Sequence, residues 1–80
     1  MRIPKIDKVE IIEDYKLVLY FETGEKKLYD MKKNFKYKCF KKLENMELFK
    51  TVKAVGETIE WETGEDINPE DLYFNSEAIN

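Results

Sequence analysis

With 80 residues the chain is too short for two ordinary domains, and a composition that is 42% apolar with eleven aromatic side chains excludes a disordered segment. We expect a single domain over residues 1–80, with a frayed tail over residues 76–80. The formal net charge of −3 is unevenly distributed. Residues 1–50 hold 13 of the 14 basic and nine of the 17 acidic residues, a balance of +4, and residues 51–80 have a balance of −7.

The compartment can be inferred from what the chain lacks. No stretch approaches the roughly 20 apolar residues of a membrane helix, since the longest apolar run is residues 17–21. Residues 1–5 lack the apolar stretch of a signal peptide. The single cysteine, Cys39, cannot form an internal disulfide, which is typical of a reducing compartment. The sequence therefore predicts a cytoplasmic protein with no membrane contact.

The first part of the chain predicts a three-stranded antiparallel meander. Alternation of apolar and charged residues indicates a strand over residues 8–13, and the pair Asp14-Tyr15 is expected to form a tight connection. The third strand is expected over residues 26–31, after a hairpin turn in which Gly24 supplies a positive φ.

The middle strand of this meander, residues 16–22, has apolar side chains on both faces. Leu17, Leu19 and Phe21 share one face, and Val18 and Tyr20 share the other. A strand of this kind is usually central in its sheet and covered, at least in part, on two sides.

The second part of the chain predicts short helices and a further strand. Asn45 is a good N-cap for a helix of about two turns over residues 45–52, and a strand is expected over residues 58–61. Asn68 followed by Pro69 is a well-formed start of a second helix. The predicted fold class is α+β, a small antiparallel sheet built from the meander and further strands, with one or two short helices.

One five-residue pattern, an aromatic residue followed by Glu-Thr-Gly-Glu, occurs twice, at residues 21–25 and 61–65. A duplicated hairpin is one interpretation. The other is that both sites need the same turn chemistry, and we favour it because the sequences that follow the two turns differ.

The residues that carry most enzyme chemistry are missing. The chain has no histidine, one cysteine and three isolated glycines, so we expect no catalytic site, no metal and no cofactor. Six acidic residues within residues 60–71 are better explained as a solvated surface than as a calcium or magnesium site. We interpret Cys39 as a semi-buried structural cysteine and Trp61 as a core residue rather than a pocket residue.

The most unusual stretch is residues 32–42, called the basic segment below, which holds six lysines and no acidic residue. Lysines interleaved with aromatic residues suit single-stranded nucleic acid, and the same charge could dock an acidic protein. We favour a connection whose aromatic residues, Phe35, Tyr37 and Phe40, pack into the core while the lysines face solvent. The candidate contacts to a protein or a nucleic acid are Lys32, Lys33, Lys36, Tyr37, Lys38, Lys41 and Lys42.

Several motifs together resemble a known bacterial family. They are Pro4-Lys5-Ile6 leading into Val9, the acid-Thr-Gly turn at residues 22–24, Ile59-Glu60-Trp61 leading into Gly64, and the closing Asp-Ile-Asn-Pro-Glu-Asp-Leu-Tyr at residues 66–73. Over residues 4–73 the chain resembles the family called domain of unknown function 2442. The resemblance implies an α+β domain with an antiparallel sheet, and it supplies no catalytic residues.

The same resemblance implies a regulatory setting. Similar members are encoded beside a second small protein, some have been proposed as toxin–antitoxin components, and others are fused to a helix-turn-helix module. This chain departs from the family at its lysine-rich middle. We expect a non-enzymatic, antitoxin-like binding or regulatory module that acts through a protein partner. The alternative is a nucleic-acid-binding protein that uses residues 32–42, and a homodimer is also open.

Overall fold

The computed structural model describes residues 2–79 and confirms the predicted α+β class. A four-stranded antiparallel sheet has the order β1-β2-β3-β6, and β4 and β5 form a separate antiparallel pair. In chain order the elements are β1 (Ile6–Ile12), β2 (Lys16–Phe21), β3 (Lys26–Asp30), two 3-10 helices (Met31–Asn34 and Lys38–Glu44), α1 (Met46–Phe49), β4 (Lys53–Val55), β5 (Thr58–Glu60), α2 (Pro69–Phe74) and β6 (Glu77–Ala78).

The predicted meander of β1, β2 and β3 is confirmed, and its first connection is unusual. Asp14 and Tyr15 both have positive φ values, of 67° and 59°, which costs a bulky residue such as Tyr15 about 1 kcal/mol. The Tyr15 ring lies 5.2 Å from that of Phe35 and 5.1 Å from that of Phe49, measured between centroids. These edge contacts offset the strain, so the core holds the tight connection in place.

The core lies against one face of β2. Leu17 and Leu19 are fully buried there, and Trp61 packs in the same cluster with 1% of its surface exposed. The Trp61 indole N–H donates to the Phe49 carbonyl at 3.1 Å, so its polar atom is satisfied inside the core. The expectation that Trp61 is a core residue is confirmed.

The other face of β2 is covered by charged side chains of the chain itself. The Tyr20 ring lies between the ammonium groups of Lys8 and Lys26, at 4.8 and 5.4 Å from its centroid, and its hydroxyl donates to Glu10 at 2.5 Å. Val18 on this face is only 6% exposed. The strand is therefore central and covered on both sides, as its sequence predicts.

Both helices begin where they are predicted, and α1 ends earlier than predicted. The Asn45 side chain accepts from the Glu47 N–H at 3.0 Å, which confirms the predicted cap of α1. The helix ends at Phe49 because the Lys50 N–H makes the last bond four residues back, to Met46, and the N–H groups of Thr51 and Val52 bond three residues back. No helix of residues 2–79 is long and apolar enough to cross a membrane.

The tail over residues 76–80, for which fraying is expected, contains a short strand in its described part, and Asn80 lies outside the described residues. Glu77–Ala78 form β6, which pairs with Leu28 and Lys27 of β3, and the Ile79 N–H donates to the Lys26 carbonyl at 3.0 Å. The edge of β3 offers backbone groups that a following segment can pair with, which orders residues whose side chains stay exposed.

Candidate functional site

The basic segment folds into parts of both 3-10 helices instead of an irregular connection. The Asp30 carboxylate caps the first helix by accepting from the Lys32 N–H at 3.0 Å. Phe35 is buried and Phe40 packs against the core, as predicted. The prediction that Tyr37 is also a core anchor is wrong, because its side chain is 52% exposed. Phe35 and Phe40 on either side of Tyr37 supply the apolar contacts to the core.

Three lysines of the basic segment are paired with acidic residues of the same chain. Lys32 forms an ion pair with Asp14 at the tight connection between β1 and β2. The Lys42 ammonium lies 3.1 Å from Glu65, and Lys41 forms a longer 3.5 Å pair with the nearby Glu44. These contacts place Lys32 and Lys42 at two separate turns, so the seven predicted contact residues do not form one continuous site.

The remaining three lysines of the basic segment differ in the contacts that they make within the chain. Lys33 donates to the Asn75 carbonyl at 3.1 Å and lies 4.4 Å from the centroid of the Tyr29 ring. Lys36 lies 5.3 Å from the centroid of the Tyr37 ring. Within residues 2–79, neither Lys36 nor Lys38 has a carboxylate or carbonyl acceptor. Lys36 and Lys38 are called the uncommitted lysines below, because their ammonium groups have no such acceptor within those residues.

An open groove of about 230 Å³ lies between this part of the basic segment and α2. The groove brings together three predicted contact residues, Lys33, Lys36 and Tyr37. Its other lining residues were not predicted as contacts; they are Tyr29, Asn34, Asp71 and Asn75. The site is therefore composed of two chain segments that are nearly 40 residues apart.

Tyr29 forms the most buried part of the groove. Its side chain is 1% exposed, and its hydroxyl accepts from the Asn34 amide at 2.7 Å. Burial raises the pKa of the Tyr29 phenol above its ordinary value of 10.0, at which the group is already protonated at neutral pH. A neutral phenol in this position keeps an O–H that it can donate.

The second wall of the groove is α2, whose predicted start is confirmed. Asn68 accepts from the Glu70 and Asp71 N–H groups at 3.0 and 3.3 Å. One turn later the Asn75 amide donates to the Asp71 carboxylate at 2.8 Å, which fixes both groups on one side of the helix. Phe74 lies on the same helix outside the groove lining; its ring packs edge-on against that of Tyr73, at 5.4 Å between centroids, and 58% of its surface is exposed.

The residues on this second wall were missed because no local pattern marks them as contacts. As an acidic residue in the first turn, Asp71 is predicted to stabilise the start of the helix, and this pattern does not predict a position near the basic segment. The spacing of Asp71 and Asn75 could have indicated an i, i+4 pair. Their position opposite Lys36 depends on the tertiary fold.

The groove presents ammonium groups, a carboxylate, amides and an exposed aromatic ring, which can donate and accept hydrogen bonds. Cys39 is exposed, so the expectation of a semi-buried cysteine is wrong. Within residues 2–79, no three acidic or cysteine side chains come together in a way that could hold a metal ion.

Comparison with known proteins connects the chain to one family. The family whose model matches the chain is described as protein of unknown function (DUF2442), and the match covers residues 6–78. No curated protein and no solved structure matches the chain. The resemblance inferred from the sequence motifs is thereby confirmed over nearly the whole chain.

Proposed function

The chain belongs to the DUF2442 family of proteins of unknown function, and we propose that it is a non-enzymatic binding module that acts through a protein partner. The observation that carries this proposal is a pair of exposed aromatic side chains, Tyr37 in the lining of the groove and Phe74 on α2, the helix that forms its second wall. Phe74 and Tyr37 have the largest exposed fractions, 58% and 52%, among the large apolar side chains of residues 2–79. Exposed aromatic residues beside a groove are typical anchors of protein interfaces.

Covering these two rings would contribute to the free energy of partner binding. An aromatic side chain buries about 150–250 Å² when it is fully covered, so covering the exposed half of one ring removes about 100 Å² from water. At about 25 cal/mol per Å², each ring contributes about 2.5 kcal/mol before the costs of association. Two anchors of this size are enough to make partner binding depend measurably on Tyr37 and Phe74.

The ion pairs of the basic segment reduce the number of lysines that are free to neutralise a phosphate backbone. Lys32, Lys41 and Lys42 would have to leave acceptors in the chain before they could neutralise phosphates. Five available lysines would make nucleic-acid affinity fall roughly 500-fold between 50 and 200 mM salt. The two uncommitted lysines, Lys36 and Lys38, would give only about a 12-fold change, which is a weak basis for nucleic-acid binding.

The family resemblance supports an antitoxin-like role, in which the chain is one half of a pair of small proteins. The single exposed thiol of Cys39 supports a reducing compartment, and we therefore place the module in the cytoplasm.

The experiment that tests this proposal is capture of binding molecules from native lysate by the tagged chain, with and without nuclease. We expect a small protein in stoichiometric amount that nuclease does not remove. Nucleic acid recovered in place of a protein, and lost when Lys36 and Lys38 are changed to Gln, would contradict the proposal. An untagged copy of the same chain among the captured proteins would identify the partner as a homodimer.

A further inference from the structure

Two lysines without an acceptor in the described part of the chain indicate which chemical group a partner must supply. Lys36 and Lys38 are the two lysines of the basic segment without an acceptor within the described residues, and both are exposed. Lys36 lines the groove and lies over the ring of Tyr37. An ammonium group held beside an exposed ring can gain a carboxylate without giving up a contact in its own chain.

The opposite wall of the groove, at Asp71, requires a hydrogen-bond donor from the partner. One oxygen of the Asp71 carboxylate accepts from Asn75, and a carboxylate has room for further donors. The groove therefore has a donor wall at Lys36 and an acceptor wall at Asp71. A peptide main chain brings one N–H and one carbonyl at each residue, which matches an acceptor wall, and an acidic side chain matches the donor wall.

The size and polarity of the groove distinguish a peptide segment from a small molecule. Sites for small molecules usually have volumes of about 300–1,000 Å³ and mostly apolar linings. This groove has a volume of about 230 Å³, is open, and is lined mostly by charged and amide side chains. Such a groove does not enclose a small molecule, but a segment of chain can lie along it and continue across the ring of Tyr37.

We propose that the groove binds an extended acidic segment of the partner, with a carboxylate on Lys36 and a main-chain N–H on Asp71. This inference rests on the proposed function and specifies the partner's chemistry. Lys33 keeps its bond to the Asn75 carbonyl and holds the two walls together. Lys38 adds to the positive field beside the segment and does not make the specific contact.

The inference can be tested by titrating the isotope-labelled full chain with a capped peptide of alternating Glu and Gly and following the backbone amide signals by NMR. A peptide of alternating Gln and Gly is the matched control. We expect shifts at Lys36, Tyr37 and Asp71 with the Glu peptide, and binding at least about tenfold weaker with the Gln peptide. Lys36→Gln should weaken binding to the same extent. Lys50→Gln, an exposed lysine at the end of α1, should not.

The inference is overturned by equal shifts with both peptides, by binding that survives Lys36→Gln, or by no shift at millimolar Glu peptide. Its failure can be separated from failure of the proposed function. A captured partner that depends on Tyr37 and Phe74, and that binds the wild type and Lys36→Gln equally, would support the protein-partner function. The same result would contradict binding of an acidic segment at Lys36.

Discussion

Glu25 and Glu65 hold the same position in two turns of the same sequence pattern, and each ties its turn to a different part of the fold. Each turn is closed by paired backbone bonds of 2.9 Å and has a glycine of positive φ, 92° at Gly24 and 101° at Gly64. Glu25 accepts from the Tyr73 hydroxyl of α2 at 2.6 Å, and Glu65 pairs with Lys42 of the basic segment. The pattern therefore fixes a turn locally, and its last residue attaches that turn to a wall of the groove or to the segment beside it.

The contact between Tyr73 and Glu25 should contribute measurably to stability. Tyr73→Phe removes the donated hydrogen bond and keeps the edge contact of the ring with Phe21, at 5.3 Å between centroids. We expect the free energy of unfolding to fall by about 0.5–1.5 kcal/mol in urea denaturation. Tyr37→Phe, which changes an exposed ring, should stay within about 0.5 kcal/mol of the wild type. Equal stability of the two variants would show that the Tyr73 contact is not formed.

The same two glutamates predict a loss of stability in acid. The hydrogen bond from Tyr73 lowers the pKa of Glu25 below its ordinary value of 4.5, and the hydrogen bond from Thr63 does the same for the pKa of Glu65. A carboxyl group with a lowered pKa in the folded state contributes stability that is fully present above pH 4.5 and is lost as pH falls through the lowered value.

We therefore expect the thermal midpoint to be level above about pH 5 and to fall at lower pH. The double variant Glu25→Gln and Glu65→Gln should show a smaller fall over the same range. Glu57→Gln, which alters an exposed carboxyl group, serves as the control. An acid transition of the same size in the double variant would contradict the assignment to Glu25 and Glu65.

The turn glycines differ in which substitutions they tolerate. Gly64, at a φ of 101°, has open space where a Cβ would lie, so Gly64→Ala costs backbone strain alone, about 1–2 kcal/mol of unfolding free energy. Gly56 has a φ of 58°, in the left-handed region that Asn adopts most readily, so Gly56→Asn should cost less than half as much. Chemical denaturation of the two variants measures the difference. If Gly64→Ala keeps the unfolding free energy of the wild type, the second turn does not need its glycine.

Most of the fold could be predicted because its signals are local. The alternation over β1, the two-sided apolar pattern of β2, the turn at Gly24 and the caps at Asn45 and Asn68 each depend on residues within one element. β6 could not be predicted, because Glu77–Ala78 gain order from the edge of β3, about 50 residues earlier in the chain.

The groove was predictable only on one side. Lysines and aromatic residues within one short stretch mark the basic segment as a candidate contact, and Lys33, Lys36 and Tyr37 do line the groove. The exposure of Tyr37 could not be inferred, because any of three closely spaced aromatic residues could have been the one outside the core. Asp71 lines the groove because the tertiary fold brings α2 beside the basic segment, which no sequence spacing encodes.

The exposed rings of Tyr37 and Phe74 should matter for binding and not for stability. Tyr37→Ala and Phe74→Ala remove rings that are more than half exposed, so we expect each to change the free energy of unfolding by less than about 1 kcal/mol. Circular dichroism and urea denaturation check this. A large loss of stability in Tyr37→Ala would indicate that the ring packs in the core and is not available to a partner.

The most direct test of partner binding compares lysate capture by the wild type, by the double variant Tyr37→Ala and Phe74→Ala, and by Val55→Ala, an exposed apolar control on β4 that is 43% exposed. A partner-binding module predicts a nuclease-resistant protein held by the wild type and Val55→Ala and lost, by about tenfold or more, from the double variant. Equal capture by all three chains, or no captured protein at all, would contradict it.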